Sequence, residues 1–209
     1  MVALSATCAD VHLRIDPSIL YFGTPVVLVT TRNRDGSTNI GPMSSAWALG
    51  DTVVLGWSTD SQTAVNLERE RECVVNLPSA DLHQAVEALA PLTGRDPVPA
   101  DKTAKFRYEP DKFAAAGFTS QPSDRVAVPR IAQCQLQLEA KVSAIHVPVD
   151  PEGGFWIVET HVERVHAHPD IVKAGTDHID PARWNPLLYV FRHYFGTGDE
   201  LGRSFRAED

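Results

Sequence analysis

Pro25-Val-Val-Leu-Val-Thr-Thr31, then Asn33-Arg-Asp-Gly36, then Thr38-Asn-Ile40 is the stretch that decides the fold class. The first run is short and β-branched, which suits a pleated sheet, and Asn-Arg-Asp-Gly supplies the residues that a tight reversal needs. Together the three pieces predict a β-hairpin. Gly50-Asp51 separates a further β-run, Thr52-Val-Val-Leu-Gly-Trp-Ser58, which extends the hairpin into an antiparallel meander.

Downstream, Ser58-Thr-Asp-Ser-Gln-Thr63 is a cluster of capping residues, and a short helix is expected over Ala64 to Arg71. Glu72-Cys-Val-Val-Asn-Leu77 reads as a strand closed by Pro78. A second helix is expected over 81–89, capped by Asp81, with Leu82, Val86 and Leu89 on one face. Residues 91–129 are rich in Pro, Lys and Asp and read as an excursion over the surface, with one helical turn near 111–116. From Ile131, Leu136, Leu138, Ala140 and Val142 alternate with Gln135, Gln137, Glu139 and Lys141, which predicts a long strand with one wet face. The turn Pro148 to Gly154 then reverses the chain into a partner strand, Phe155 to Val165, and little periodicity remains after Asp170. About six strands with a few short helices predict a mainly β, closed or nearly closed antiparallel barrel, one domain over 1–209.

Charge and composition narrow the function. With 19 Lys+Arg against 27 Asp+Glu, the net charge of −8 removes a broad electrostatic footprint for nucleic acid or anionic lipid, so neither partner is expected. Any anionic ligand must be held locally. Cys8, Cys73 and Cys134 are too few and too far apart for a disulfide framework or a metal knuckle. No basic, apolar leader opens the chain and no run approaches about 18 apolar residues, so a cytoplasmic location is expected. There is no Walker A loop or GxSxG elbow, and Gly196-Thr-Gly198 lacks the rest of a dinucleotide fingerprint. His161, His166, His168 and Asp170 invite a metal reading. Without a Glu or Cys partner motif, side chains decorating a strand end are favoured and no metal is expected.

Two stretches point to a ligand. At Ser58 to Asn66, a helix start offers unpaired backbone N–H groups, to which Ser58, Thr59, Ser61 and Thr63 add hydroxyls and Gln62 and Asn66 add amides. Capping alone needs one of these hydroxyls, so a phosphate site is the sharper reading. Upstream, Asn39-Ile-Gly-Pro-Met-Ser-Ser-Ala-Trp47 leaves its strand through a Gly-Pro break, and its freed backbone groups suit the edge of a planar heterocycle.

In order and spacing, Tyr21-Phe-Gly-Thr-Pro-Val-Val-Leu-Val-Thr-Thr31, Asn33-Arg-Asp-Gly-Ser-Thr-Asn-Ile-Gly-Pro-Met-Ser-Ser45, Ser61-Gln-Thr-Ala-Val-Asn66 and Glu72-Cys-Val-Val-Asn76 resemble the flavin reductase-like family. The resemblance implies a six-stranded antiparallel split β-barrel and a homodimer with FMN, or the larger FAD, near the subunit interface. It assigns the isoalloxazine-contacting loop to Asn39, Met43, Ser44 and Ser45, and the phosphate-contacting loop to Ser58, Thr59, Ser61, Gln62, Thr63 and Asn66. Two departures stand out: Gly50-Asp51 where many members carry Pro-Pro, and Gln62 where a Lys is frequent, which removes a positive charge.

The run Asn185-Pro-Leu-Leu-Tyr-Val-Phe-Arg-His-Tyr-Phe195 resembles the family's closing segment and makes His193 and Tyr194 candidates for the substrate side. The alternative is a hydrophobic tail docking on the barrel or a partner subunit. Trp47 is either a flavin neighbour or core. The implied activity is an NAD(P)H-dependent flavin reductase, with NADH or NADPH as hydride donor and oxygen, a partner monooxygenase or another acceptor taking the electrons. No acid, base or nucleophile is assigned, because hydride chemistry belongs to the cofactor. Two alternatives stay open: an FMN-binding electron carrier reduced by a partner protein, and a split barrel for another phosphorylated or tetrapyrrole ligand.

Overall fold

The computed structural model describes residues 12–148 and 154–206. Cys8 and most of the expected 148–154 turn lie outside the described residues. In chain order the strands are β1 (Phe22–Pro25), β2 (Val27–Arg32), β3 (Thr38–Met43), β4 (Ala46–Leu49), β5 (Thr52–Ser58), β6 (Glu72–Leu77), β7 (Leu92–Thr93) and β8 (Arg107–Tyr108). They continue with β9 (Ser120–Gln121), β10 (Arg130–Ile131), β11 (Leu136–His146), β12 (Phe155–Ala167), β13 (Leu188–Val190) and β14 (His193–Phe195). The helices are α1 (Gln62–Glu70), α2 (His83–Leu89) and α3 (Lys112–Ala116).

One seven-stranded antiparallel sheet, ordered β3-β2-β6-β11-β12-β5-β4, organises the molecule. Its two edge strands, β3 and β4, are joined by only Ser44 and Ser45. Laid flat, seven strands would hold those edges about 29 Å apart at the usual spacing. Met43 and Ala46 are separated by three peptide units, which span about 11 Å at most. The sheet therefore curls until the two edges meet at the Ser44-Ser45 link, which marks the seam. This is the split barrel the sequence predicts, with seven strands in the sheet rather than six. The additional strand is β4, too short at four residues to stand out in the pattern.

The run that opens the hairpin is buried on both faces, which explains its unbroken apolar character. Val27 and Val29 join a cluster with Leu55, Trp57, Leu67, Val75 and Val158, while Val26 and Leu28 join Ile40, Val86, Leu89, Phe118 and Leu187 beneath α2 and the C-terminal segment. Helix α1 begins at Gln62, two residues before the expected start, because Ser61 caps it: its Oγ accepts from the Ala64 N–H at 3.0 Å. At the second helix a 3-10 turn over Ala80–Leu82 precedes α2, and Ser79 rather than Asp81 stands at its start.

The wet face expected on β11 is wet at Lys141 but covered at its centre. Gln137 and Glu139 are 4% and 0% exposed, because residues 120–131 of the excursion fold over them. The Glu139 carboxylate accepts from the backbone N–H groups of Asp124, Arg125 and Val126, and Gln137 bonds both Arg130 and the Ile131 carbonyl. Buried polar side chains in full use of their bonding groups keep a polar pattern that imitates exposure. The tail is also more regular than its pattern: β1, β13 and β14 form a three-stranded antiparallel sheet. Its β13–β14 turn uses Phe191 and Arg192 at φ of 44° and 70°, so the usual glycine or asparagine turn signal is missing.

Candidate functional site

Two hollows share Pro42, Trp57, Ala90 and Phe106 as walls, next to the barrel seam. The first, a cleft of about 160 Å³, is polar and lies at the start of α1, where Ser61, Gln62 and Thr63 meet Asn39, Lys102 and Lys112. The second, a chamber of about 450 Å³, is lined by Met43, Ser44, Ser45 and Ser58 from the seam and the end of β5, and by Tyr21, Tyr189 and Tyr194. The chamber falls within the 300–1,000 Å³ typical of small-molecule sites.

In the cleft, side-chain bonds run across three elements. Thr63 Oγ1 accepts from Asn39 Nδ2 at 2.9 Å, and Asn39 Oδ1 accepts from Lys112 Nζ at 2.9 Å. Lys112 also donates to the Ile40 carbonyl at 2.9 Å. At 4% exposure its ammonium is taken out of water, and burial draws its pKa down to about 8 against an opposing pull from Glu109. Lys102 reaches in from the same excursion and pairs with Asp60, 2.7 Å from Oδ1 and 2.6 Å from Oδ2. Burial works to raise the Asp60 carboxyl, but hydrogen bonds from Lys102 and Ser58 outweigh it and hold the group below its ordinary range. Two glycines make this closeness possible. A Cβ on Gly94 would stand 2.4 Å from Asn39 Oδ1, and one on Gly41 would stand 2.4 Å from Thr63 Oγ1 and 2.7 Å from the Trp57 ring.

Walls of the chamber carry one orphan. Trp57 Nε1 is buried with no hydrogen-bond partner, one of two such side-chain atoms among the described residues. Buried donors are rarely left so, and one in the shared wall of a hollow marks a place where a ligand acceptor fits. In the same lining Tyr194 packs tilted on Tyr189, ring centroids 5.5 Å apart, and donates its hydroxyl to Glu87 at 2.9 Å. Burial and that carboxylate raise the Tyr194 phenol above its ordinary value.

Of the residues named from sequence, Asn39, Ser61, Gln62 and Thr63 line the cleft, and Met43, Ser44, Ser45, Ser58 and Tyr194 line the chamber. Asn39 thus lies with the helix start rather than with Met43-Ser44-Ser45. Three others lie elsewhere. Thr59 is tied to the Gly154 carbonyl, and Asn66 is fully buried with its amide bonded to Thr31 and Asn33 and its oxygen accepting from Gln62. His193 is on the outer rim, beside His83 and Arg192, in a hollow that Tyr194 shares with the chamber. Trp47 is 57% exposed on β4, neither core nor wall.

Sequence reasoning missed Lys102, Phe106, Lys112 and Trp57. The lysine content of 91–129 was the available signal for the two lysines, but nothing local says that this excursion folds back to the start of α1. Asp124, Glu139 and His166 bring three ligand-type atoms within 4.8 Å of one another. Glu139 is already engaged by three backbone N–H groups and by His166 Nε2 at 2.6 Å, so the trio clamps the excursion onto β11. His161 and His168 face Asp51 and Asp170 separately.

Comparison with known proteins agrees with this architecture. Residues 19–198 match the family model described as flavin reductase like domain. Over 195 residues the chain is 45% identical to the uncharacterized protein YdfE of Bacillus subtilis (strain 168), covering 93% of each. Among solved structures it superposes on flavoredoxin of Desulfovibrio vulgaris (Miyazaki F) with TM-score 0.76 at 17% identity, covering 93% of this chain and 99% of that one. It also superposes on nitrilotriacetate monooxygenase component B from Bacillus cereus with TM-score 0.73 at 16% identity, covering 93% and 100%. At those identities the superpositions establish the shared fold.

Proposed function

From the premise that this chain belongs to the flavin reductase-like family, we propose that it binds FMN across the cleft and chamber and acts as an NAD(P)H-dependent flavin reductase. The observation that carries the reading is the pairing of a cationic, hydroxyl-rich cleft with an aromatic chamber whose wall holds the orphan Trp57 N–H. The donor set fits that cofactor. Helix α1 directs its free N–H groups and positive end at the cleft, where Ser61, Thr63, Lys102 and Lys112 add donors for a phosphate. In the chamber, Met43, Trp57, Tyr189 and Tyr194 offer the apolar and aromatic surface on which a tricyclic ring packs, and Ser44 and Ser45 offer polar groups at its edge.

When bound, FMN would supply the redox chemistry, taking hydride from a nicotinamide and passing electrons onward. The protein's part is binding, orientation and exclusion of water. Lys112 and Thr63 lock the Asn39 amide, so the cleft is pre-shaped rather than assembled on binding. Tyr194 stands where chamber and rim meet, with His193 and Arg192 outside it, so the open side faces solvent and a donor can approach there.

The test is anaerobic addition of NADH or NADPH to FMN-loaded protein, followed at the flavin absorption band. Prompt bleaching supports the reductase. Stable bleaching by dithionite but by neither nucleotide would replace it with an electron carrier reduced by a partner protein.

A homodimer belongs to the same proposal. Strand β4 is a sheet edge carrying exposed Trp47 and Leu49, and such a surface is usually covered. Light scattering should give twice the 22.9 kDa chain mass, and Trp47→Ser with Leu49→Ser should return it to the single-chain value. None of the described helices is long and apolar enough to cross a membrane. A cytoplasmic location and a monooxygenase partner remain part of the proposal.

A further inference from the structure

The cleft at the start of α1 holds three charges that do not cancel. Lys112 faces neutral acceptors, the Asn39 amide oxygen and the Ile40 carbonyl, and among the described residues no carboxylate bonds it. Lys102 is fully engaged by both oxygens of Asp60. Asp60 directly precedes the cap Ser61, which puts a carboxylate at the positive end of a nine-residue helix, where negative charge is stabilised. The Ser58 hydroxyl also donates to Asp60. The protein thus fills, with its own side chain, the surroundings that an incoming phosphate needs. The side chains of Lys102 and Asp60 are 28% and 37% exposed, and ion pairs with that much water contact contribute little and exchange readily.

We propose that Asp60 is a built-in competitor for the phosphate of the flavin: it holds Lys102 while the cleft is free of anion and must surrender it on binding, so that the cofactor is held as an exchangeable ligand rather than as a permanent prosthetic group. The proposal rests on the FMN reading and deepens it. A phosphate entering the cleft gains Lys102 and Lys112 but acquires the displaced Asp60 carboxylate as a like-charged neighbour. That repulsion is absent for riboflavin, which has the same ring and ribityl chain and no phosphate. The missing Lys at the Gln62 position acquires a structural counterpart: the excursion brings in two lysines, and Asp60 offsets one of them.

The experiment is fluorescence titration of the apoprotein with FMN and, separately, riboflavin, at low salt, for the parent, Asp60→Asn, Asp60→Ser and Lys102→Gln. Removing one like charge at a few ångströms from a phosphate in a partly solvated cleft corresponds to about tenfold in affinity. FMN should bind Asp60→Asn about tenfold more tightly and dissociate more slowly, with riboflavin unchanged within about twofold. Asp60→Ser should share the gain, and Lys102→Gln should lose FMN affinity. A gain in affinity cannot arise from misfolding. If FMN binds the parent but neither Asp60 variant binds it more tightly, Asp60 merely supports the loop and the proposal fails while the FMN reading stands. An equal gain for riboflavin also overturns it. If the parent binds neither flavin, both readings fall together.

Discussion

Glu139→Ala is the most informative single perturbation of the framework behind the site. The side chain is fully buried on β11, and its carboxylate accepts from the N–H groups of Asp124 at 2.9 Å, Arg125 at 2.5 Å and Val126 at 3.2 Å. His166 Nε2 lies 2.6 Å away and Arg130 Nε 3.9 Å away. Removing the carboxylate strands the buried Val126 donor, takes the hydrogen-bond partner from the His166 ring and deprives a nearly buried guanidinium of its counter-charge. Breaking one partner of a buried, hydrogen-bonded charge cluster costs about 3–5 kcal/mol. Glu139→Gln keeps the shape and one carbonyl acceptor, so its cost is about 1–2 kcal/mol. Both fit within the 5–15 kcal/mol of an ordinary domain, so both variants remain folded.

The assay is urea unfolding at pH 7, repeated down to pH 3. Burial pushes the Glu139 carboxyl up, but hydrogen bonds from Asp124, Arg125 and His166 outweigh it and hold it below its ordinary 4.5. Because the folded value is the lower one, this contribution is complete above the unfolded value and is lost as pH falls through the folded one. Parent stability should therefore fall more steeply below pH 4.5 than that of Glu139→Gln. An alanine variant within about 0.5 kcal/mol of the parent at pH 7 would refute the clamp, because it would behave as an ordinary surface change.

Three further outcomes follow from the cleft. Thr63→Ala removes the acceptor that fixes Asn39, and should weaken FMN by about 1–3 kcal/mol while leaving riboflavin nearly unaffected; equal losses in parallel titrations would refute a phosphate role. Gly94→Ala places a methyl against Asn39 and Gln62, at 2.4 and 3.1 Å before relaxation, so FMN affinity should fall at least tenfold with a much smaller change in thermal midpoint. Lys112 ionises near 8 when folded and near 10.5 when unfolded, so the unfolded chain binds more protons between those values and this residue's contribution to stability rises with pH across that window. The stability difference between parent and Lys112→Met should shift in the parent's favour from pH 8 to 10, and a constant difference would contradict the burial of the ammonium.

What could be read from the chain alone was whatever local chemistry dictates. The β-branched run before Asn33-Arg-Asp-Gly36 commits to a hairpin wherever it sits, and Thr52–Ser58 and Glu72–Leu77 were legible to the residue because β-propensity, Gly50 and Pro78 bound them. Clustering of hydroxyls before α1 was legible for the same reason, since a helix start satisfies its N–H groups from neighbours in sequence. The tertiary structure decided whatever depends on contacts between distant residues. Glu139 looks solvent-facing until residues 124–126 fold over it, and β13 and β14 find order by pairing with β1. Lys102 and Lys112 lie 42 and 73 residues from the partners they bond, Asp60 and Asn39. Periodicity reports the environment of a segment's own two faces, and it carries no information about which remote side chain will supply the charge there.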